Sequence, residues 1–387
     1  MFGHQDTRRL PAAYPQFFAS GEGARLTDVD GNEYVDFMCG YGPIIVGYTD
    51  AEIEAAVAAQ SSRVDCSNGP SGVMVELAEY MVETIPAADW ALFAKNGTDA
   101  TTACVTIARA GTGRRKLLKA SGAYHGAAPW CTPYRSGTLD EDRAHHLSYD
   151  WNDIDSLHAA AREAEGDLAA ILVSPFRHDA RRDQEMPDPA FLTTLRKLAD
   201  ETGAALILDD VRAGFRLDLG GSWEPYGIRP DLSAWSKALG NGHAIAAVTG
   251  TDAWREAAKK IFITGSFWCG AAPMAAALAT LQKLHRIDAV AHMERMGSLL
   301  REGIEEQAMA LGVSVRQTGP VQMPMILFDD DAELEKGNLF AATALDHGAF
   351  FHPWHNMFLS AAHTEADIKQ ALAASRLGLE AVGRMSA

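Results

Sequence analysis

Short apolar segments alternate with amphipathic helical segments through the middle of this 387-residue chain, and this alternation constrains its fold more than any other feature. The predicted strands are 90–94, 115–120, 168–174, 204–209, 232–236 and 243–250, and the predicted helices between them are 98–110, 153–165 and 189–203. The strand segments are nearly continuous in apolar residues and rarely alternate with polar ones. Strands of this kind are buried on both faces, so we predict an α/β fold with a mostly parallel central sheet covered by helices.

The two ends of the chain follow a different pattern. Residues 23–37 predict a hairpin that turns at Asp30-Gly31, because Asp-Gly is a common two-residue connection between antiparallel strands. The C-terminal part is expected to contain a helix at 288–312 and strands at 323–328 and 357–361. The predicted domains are a large domain at 55–260 and a smaller α+β domain formed by 1–54 and 261–387.

The bulk composition argues against several classes of protein. A formal net charge of −17 disfavours nucleic acid and anionic membrane surfaces as partners, since these require basic patches. The five cysteines are scattered and form no CxxC pair, so we expect no disulfide framework and no metal site, and a cytoplasmic location is the simplest interpretation. No apolar run is long enough to span a membrane, and the N-terminal residues lack the apolar core of a signal peptide.

Lys237 lies where a predicted strand ends and a turn rich in small residues, 238–242, begins. A lysine that is desolvated at such a position has a lowered pKa and a usable amine lone pair, which is what a Schiff-base nucleophile requires. A strand-end lysine that only reaches into solvent is the alternative interpretation.

Three other predicted strand ends carry polar groups. Asp209 extends an apolar strand, where its desolvation requires a cationic partner or hydrogen-bond donors. Gly97 and Thr98 open a helix after another strand, where free N–H groups and the helix dipole favour a phosphate. Tyr124 and His125 follow a third strand, and a tyrosine ring can stack on a flat heteroaromatic ligand. Taken singly, each group could be a turn, a cap or a packed side chain.

Ligands of parallel α/β sheets bind at the carboxyl ends of the strands, so these four groups are expected to meet. Together they provide a phosphate cradle, an aromatic cover, an acid for a ring nitrogen and a lysine for an aldehyde. The ligand with all four matching parts is pyridoxal 5′-phosphate (PLP), which we predict as the cofactor.

Residues 206–250 resemble the PLP signature of the class III aminotransferases and are most similar to its glutamate-1-semialdehyde 2,1-aminomutase-like branch. "NGTDA" (96–100) resembles the phosphate loop of that family and "AYHG" (123–126) its ring-stacking loop. Residues 23–37 and 358–372 resemble its N-terminal hairpin and its C-terminal closing segment. The resemblance runs in the same order over most of the chain. It implies a fold type I PLP-dependent transferase with a large and a small domain, and a homodimer with two active sites at the interface.

The resemblance also implies roles for individual residues. Lys237 matches the lysine that forms the Schiff base with the cofactor, and Asp209 matches the acid on the pyridine nitrogen. Val211 matches the aliphatic residue beneath the ring and Tyr124 the stacking aromatic. His125, next to that tyrosine, is expected to be a further cofactor contact.

Phosphate and substrate contacts are implied in the same way. Gly97 and Thr98 match the phosphate-binding amides and hydroxyl. Ser266, or Thr264 as second choice, matches a hydroxyl that is donated across the dimer to the phosphate. Substrate contacts are expected from Arg216, in the "GFR" of the aminomutase-like branch, and from Trp354, although a solvated arginine and a core tryptophan are the alternatives.

The function expected from these residues is that of an aminotransferase, which moves an amino group between an amino donor and a keto acid, ketone or aldehyde. A PLP-dependent aminomutase or an amino-acid racemase would use the same lysine and acid, so both remain alternatives. The lysine, the acid and the phosphate-binding groups are all present. This disfavours a binding or regulatory protein that keeps the fold without catalysis. A nicotinamide dehydrogenase is disfavoured because no GxGxxG motif follows a strand.

Overall fold

The computed structural model describes residues 7–385, which divide into two compact units. The first, here called the sheet unit, comprises Glu52–Arg177 and Met186–Lys283. The second, here called the terminal unit, comprises the chain up to Ala51, His178–Glu185 and the chain from Leu284 onward. The C-terminal boundary of the sheet unit thus lies at Lys283, beyond the predicted domain boundary at 260.

A mixed seven-stranded sheet forms the centre of the sheet unit. Its strands are β4 (Trp90–Ala94), β5 (Lys116–Ala120), β6 (His146–Tyr149), β7 (Leu168–Val173), β8 (Ala205–Asp209), β9 (Leu232–Trp235) and β10 (Ala246–Gly250). Their order is β4-β10-β9-β8-β7-β5-β6. The strands from β9 to β6 pair in parallel, whereas β10 is antiparallel to both of its neighbours. The predicted α/β fold with a mostly parallel sheet is therefore confirmed.

The apolar content of the central strands explains their position. Every residue of β7 and β8 is buried, and side chains from both strands pack with one face of a helix opened by Gly97. Strand β6 was not predicted, because its four residues lie at the sheet edge and remain partly accessible up to Tyr149. An edge strand need not be apolar on both faces, so its sequence carries a weak signal.

Helices cover the sheet and begin and end at local sequence signals. They are α1 (Ala51–Ser61), α2 (Gly72–Thr84), α3 (Gly97–Thr112), α4 (Ile154–Glu163), α5 (Pro189–Thr202), α6 (Asp252–Lys260) and α7 (Ala271–Arg286). Asn96 caps α3, and Asp153 caps α4 by accepting a hydrogen bond from the Ser156 N–H at 2.8 Å. Gly203 is the C-cap of α5 and has a left-handed φ of 68°.

The terminal unit combines short strands with three long helices. Its elements are β1 (Phe18–Glu22), β2 (Arg25–Asp28), β3 (Glu33–Asp36), β11 (Val315–Thr318), β12 (Met325–Phe328), β13 (Ala349–Phe350), α8 (Ala289–Leu311), α9 (Glu335–Asp346) and α10 (Glu365–Met385). The predicted hairpin is present, since β2 and β3 pair antiparallel around Gly31. Among residues 7–385, no helix is both long and apolar enough to cross a membrane.

The predicted strand at 357–361 is wrong. This segment is extended and buried, but its N–H groups bond to separate parts of the unit: Met357 to Pro324, Phe358 to Phe37 and Leu359 to Gln322. The bonds to Pro324 and Gln322 on one side and to Phe37 on the other alternate as in an extended strand, but they form no regular ladder with either neighbour. The apolar pattern of the segment therefore reflects burial without regular pairing.

Candidate functional site

The parallel pair β8 and β9 brings two predicted site residues to one edge of the sheet. Asp209 is the last residue of β8 and lies opposite Ala234 of β9, while Lys237 follows the end of β9 by two residues. The backbone of Lys237 has a φ of 47°, in the left-handed region that a lysine rarely adopts. The chain therefore turns sharply at this lysine as it leaves the buried strand.

Burial changes the chemistry of Lys237. The side chain is partly buried, and desolvation lowers the pKa of its amine to about 7. The nearby guanidinium of Arg212, and that of Arg216, lower this pKa further, whereas Asp209 opposes the shift. A substantial fraction of the amine is thus uncharged at neutral pH, in the direction predicted for a nucleophilic lysine.

Asp209 is held by a histidine from another strand end. The carboxylate is 7% exposed, and its Oδ2 lies 2.7 Å from Nδ1 of His125, which is 2% exposed. Oδ1 accepts a hydrogen bond from the Val211 N–H at 3.3 Å. Within residues 7–385, no hydrogen-bond partner is found for the buried Nε2 of His125. His125 was predicted as a cofactor contact, but its contact with Asp209 was not predicted.

The loop that carries His125 is also tied to the N-terminus of α3. The Thr98 hydroxyl accepts a hydrogen bond from the Ala127 N–H at 3.0 Å. Gly126 has a φ of 140°, and a Cβ at this position would lie 2.6 Å from the same hydroxyl oxygen. Tyr124, two residues earlier, is 42% exposed, so its ring remains accessible. The predicted stacking loop and phosphate loop are therefore in direct contact.

The first turn of α3 keeps N–H groups available. The Asn96 side chain accepts the Asp99 N–H at 3.1 Å, and Asp99 in turn accepts the Asn96 N–H at 3.2 Å. This capping box leaves the N–H groups of Gly97 and Thr98 without intrahelical partners. A Cβ at Gly97 would lie 2.6 Å from a methyl of Val211, so the helix start and the segment after β8 can approach only through glycine.

A second carboxyl group, which sequence analysis did not single out, lies beside Asp209. Asp210 is 1% exposed and accepts hydrogen bonds from the Ser222 N–H at 2.9 Å and hydroxyl at 2.5 Å. Burial raises the pKa of this carboxyl to about 7, although the bonds from Ser222 oppose the shift. The only sequence feature that could have indicated Asp210 is its position directly after Asp209, the acid that ends the strand.

Four further residues were predicted as contacts to the phosphate or the substrate, and their surroundings differ. Arg216 is completely buried, so it does not present a guanidinium at an accessible surface. Thr264 and Ser266 are exposed on the loop before α7. Trp354 belongs to the terminal unit, where the guanidinium carbon of Arg181 lies 5.0 Å from its ring centre. Across residues 7–385, no group of three or more His, Cys, Asp or Glu side chains is arranged to hold a metal ion.

The chain is similar to known proteins over almost its whole length. The family model described as Aminotransferase class-III matches residues 10–373. The aminopentol aminotransferase of Sphingopyxis macrogoltabida is 48% identical, with 99% of this chain and 91% of that protein covered. The glutamate-1-semialdehyde 2,1-aminomutase of Roseiflexus castenholzii is 31% identical, with 97% and 92% covered. The solved structure of the PLP internal aldimine form of the FumI protein of Sphingopyxis sp. MTA144 superposes with a TM-score of 0.98 at 48% identity, covering 99% of this chain and 93% of that chain.

Proposed function

Because the chain belongs to the class-III aminotransferases, has their fold type I architecture and uses PLP, we propose that four strand ends of its sheet unit hold this cofactor. The observation that carries the proposal is the placement of the Lys237 amine and the Asp209 carboxylate at the ends of adjacent strands. The residues present fit PLP, since this pair is combined with an accessible helix N-terminus for the phosphate and an accessible aromatic ring.

Each end of the cofactor has a matching set of groups in this proposal. The N–H groups of Gly97 and Thr98 receive the phosphate, where the helix dipole favours negative charge. Tyr124 and Val211 contact the ring from opposite faces. Asp209, oriented by its 2.7 Å contact with His125, would accept a hydrogen bond from the protonated ring nitrogen and keep that nitrogen charged.

PLP, when bound, supplies the aldehyde that carries the amino group and the ring that accepts electrons. Lys237 supplies the amine that attaches to this aldehyde, and its lowered pKa of about 7 makes the uncharged form available. Once the substrate amine has displaced Lys237, the free Lys237 amine removes a proton from the amino-bearing carbon of the substrate. Lys237 then returns this proton on the cofactor side. Asp209 stabilises the charge that develops on the ring nitrogen.

The assignment of Lys237 can be tested chemically. Borohydride reduction of the PLP-loaded protein, followed by peptide mass mapping, is expected to find the pyridoxyl group on Lys237. Lys95 and Lys119, which are also partly or fully buried lysines of the sheet unit, act as internal controls. Modification at either of them with Lys237 unmodified would remove Lys237 from its role.

We further propose that the amino donor carries its amino group on a carbon without a carboxylate. This substrate class is supported by the 48% identical relative, which is named for aminopentol. Purified enzyme should convert a long-chain 2-aminoalkanol to the ketone in the presence of pyruvate, with stoichiometric alanine by mass spectrometry. Preference for glutamate or aspartate, whose amino-bearing carbon carries a carboxylate, as the amino donor would contradict this substrate class.

An aminomutase or racemase is the alternative, and the same experiment separates the three activities. An aminotransferase releases a carbonyl product and requires an acceptor, whereas an aminomutase or a racemase returns an isomer of the substrate without any acceptor. The greater identity to an aminotransferase, 48% against 31% for an aminomutase, favours the transfer reaction.

A homodimer in a reducing cytoplasm is also part of the proposal. Phe262 and Phe267 are 93% and 68% exposed on the same loop as Thr264 and Ser266, and large apolar side chains of this kind usually mark an interface. Ser266, or Thr264, would then reach the phosphate of the partner. All five cysteines are free, which fits a reducing compartment.

The dimer can be tested by light scattering after gel filtration. The double substitution Phe262→Glu and Phe267→Glu is expected to give monomers with weakened PLP binding. Met309→Glu, at a residue that is 73% exposed in the terminal unit, is the control and should not change the mass. A monomeric wild-type protein would contradict the proposal.

A further inference from the structure

Lys119 is a buried lysine for which the structure shows no counter-charge. The residue is 8% exposed in β5, and within the described residues 7–385 its ammonium group forms no hydrogen bond and no ion pair. A desolvated charge without a partner is costly, so such groups are usually paired or hold a ligand.

The sheet register shows what surrounds this lysine. Leu117 of β5 pairs with His146 of β6, and Lys119 pairs with Ser148. Paired residues of neighbouring strands point to the same face, and side chains alternate along a strand, so Leu117, Lys119 and His146 share one face of the sheet. Leu117 packs in the core under α3 on that face. Lys119 therefore lies beside His146 on the face that α3 covers.

Trp130 and Cys131 pack over this face of the sheet, and Trp130 makes a polar contact with α3. The Trp130 ring lies edge-to-face with His146 at a centroid distance of 5.9 Å, and its indole N–H donates to the Thr102 hydroxyl of α3 at 3.1 Å. Cys131, the next residue, is completely buried and is electrostatically coupled to Lys119. The segment with Trp130 and Cys131 therefore packs against His146 and interacts electrostatically with Lys119.

The charged groups nearest to Lys119 are cations. Arg143 and Arg135 both disfavour its protonation, after burial as the main cause of its lowered pKa, and no carboxylate contributes. The Arg143 guanidinium is held by the carbonyl oxygens of Thr132 at 2.8 Å and Tyr134 at 3.0 Å. Arg135 is exposed and pairs with Asp140. In a chain with a net charge of −17, this is a local excess of positive charge.

His146 adds an unused polar atom to the same place. Its Nδ1 is buried and has no hydrogen-bond partner among residues 7–385. Burial, followed by the charges of Lys119 and Arg109, lowers the pKa of this imidazole to about 4, so it is neutral at physiological pH and can donate one hydrogen bond.

We propose that Lys119, Arg143 and His146 form a binding site for a small oxyanion of the size of inorganic phosphate or sulfate. The anion would supply the missing counter-charge for Lys119 and a hydrogen-bond acceptor for Nδ1 of His146. Trp130, which contacts His146, and the buried Cys131 border the site, so we propose a small ligand. The site uses different side chains from the proposed cofactor phosphate site, which uses the N–H groups at the N-terminus of α3.

Equilibrium dialysis with radiolabelled inorganic phosphate is the direct test. PLP-loaded enzyme is used, so that the cofactor phosphate site is already filled. We expect one phosphate per chain in the wild type and in Lys116→Met, and none in Lys119→Met. Lys116 is the matched control because it lies on the same strand and bonds the Glu163 carbonyl. Equal phosphate binding by all three proteins, or no binding by the wild type, would overturn the proposal.

Thermal unfolding provides a second readout that a folding defect cannot mimic. In anion-free buffer, Lys119→Met should melt at or above the wild-type temperature, because it removes an unpaired buried charge. Saturating phosphate should raise the wild-type melting temperature by about 3 °C or more and that of the variant by less than about 1 °C. Sulfate should act like phosphate and chloride should not. Parallel shifts in both proteins would indicate only a general salt effect and would reject the site.

Discussion

Two lysines near the carboxyl ends of parallel strands in the same sheet have opposite surroundings. Lys237, after β9, shares its edge of the sheet with Asp209 and leaves the strand with a left-handed backbone. Lys119, in β5, is part of a regular strand, and no carboxylate is among the groups that shift the pKa of its amine. Burial is the main cause of the lowered pKa in both.

The comparison shows that burial and a lowered pKa do not identify a catalytic lysine. What distinguishes Lys237 is a carboxylate on the adjacent strand and a strained backbone that turns the chain at that residue. Lys119 has a pKa shifted in the same direction but no acid for a ring nitrogen. We therefore infer covalent chemistry at one lysine and anion binding at the other.

The largest expected effect comes from removing the amine of Lys237. Lys237→Ala should lower kcat by at least about 10³-fold, because it removes both the attachment point and the proton carrier. Steady-state assays of alanine formation from pyruvate would measure this loss. Lys116→Met, also a lysine of the sheet unit, should stay within about twofold of wild type. Substantial turnover by Lys237→Ala would show that Lys237 is no more catalytic than the other buried lysine, Lys119.

Asp209→Asn should have the next largest effect. An amide cannot hold the ring nitrogen in its charged form, and a fall of about two units in the pKa of that nitrogen corresponds to about 10²-fold in rate. The variant should still bind PLP, as checked by absorbance after gel filtration. An unchanged kcat with normal cofactor content would show that the acid beside Lys237 has no catalytic part.

His125 is expected to act through Asp209, as a positioning residue. His125→Ala removes the 2.7 Å contact to the carboxylate and should lower kcat about tenfold, since a hydrogen bond to a charged group contributes about 1.5–3 kcal/mol. His125→Asn can still donate to Asp209 and should recover part of the loss. If both variants fell equally with their PLP content reduced, His125 would be a packing residue instead.

The smallest expected effect concerns stability near Asp209. The pKa of Asp210 is raised from 3.8 to about 7 in the folded chain, so between these values the folded state binds more protons than the unfolded state. The free energy of unfolding should therefore fall as pH rises from about 4 to 7, by up to about 1.4 kcal/mol per unit. Asp210→Asn should flatten this slope in urea titrations at pH 5.5 and 8. Asp155→Asn, at an exposed residue of α4, is the control, and an equal flattening in that variant would show that Asp210 does not cause the slope.

Part of the site could be read from the sequence because its residues follow apolar strands directly. Lys237, Asp209, Gly97 and Tyr124 each stand where a buried run stops, and parallel strands bring such positions to one edge. The contact between His125 and Asp209 could not be predicted, because it joins residues 84 positions apart through strand order. The exposure of Ser266 and the burial of Arg216 were likewise beyond local patterns.

The sequence by itself determined the parallel α/β core, since continuous apolar runs joined by helices can be buried only between two helical layers. It also predicted which residues along the chain would hold the cofactor. Tertiary structure alone decided that β10 runs antiparallel, that 357–361 is not a strand, and that Lys119 has cations for neighbours. Periodicity records how much of a segment is buried, whereas pairing partners and charge neighbours depend on contacts between residues distant in the chain.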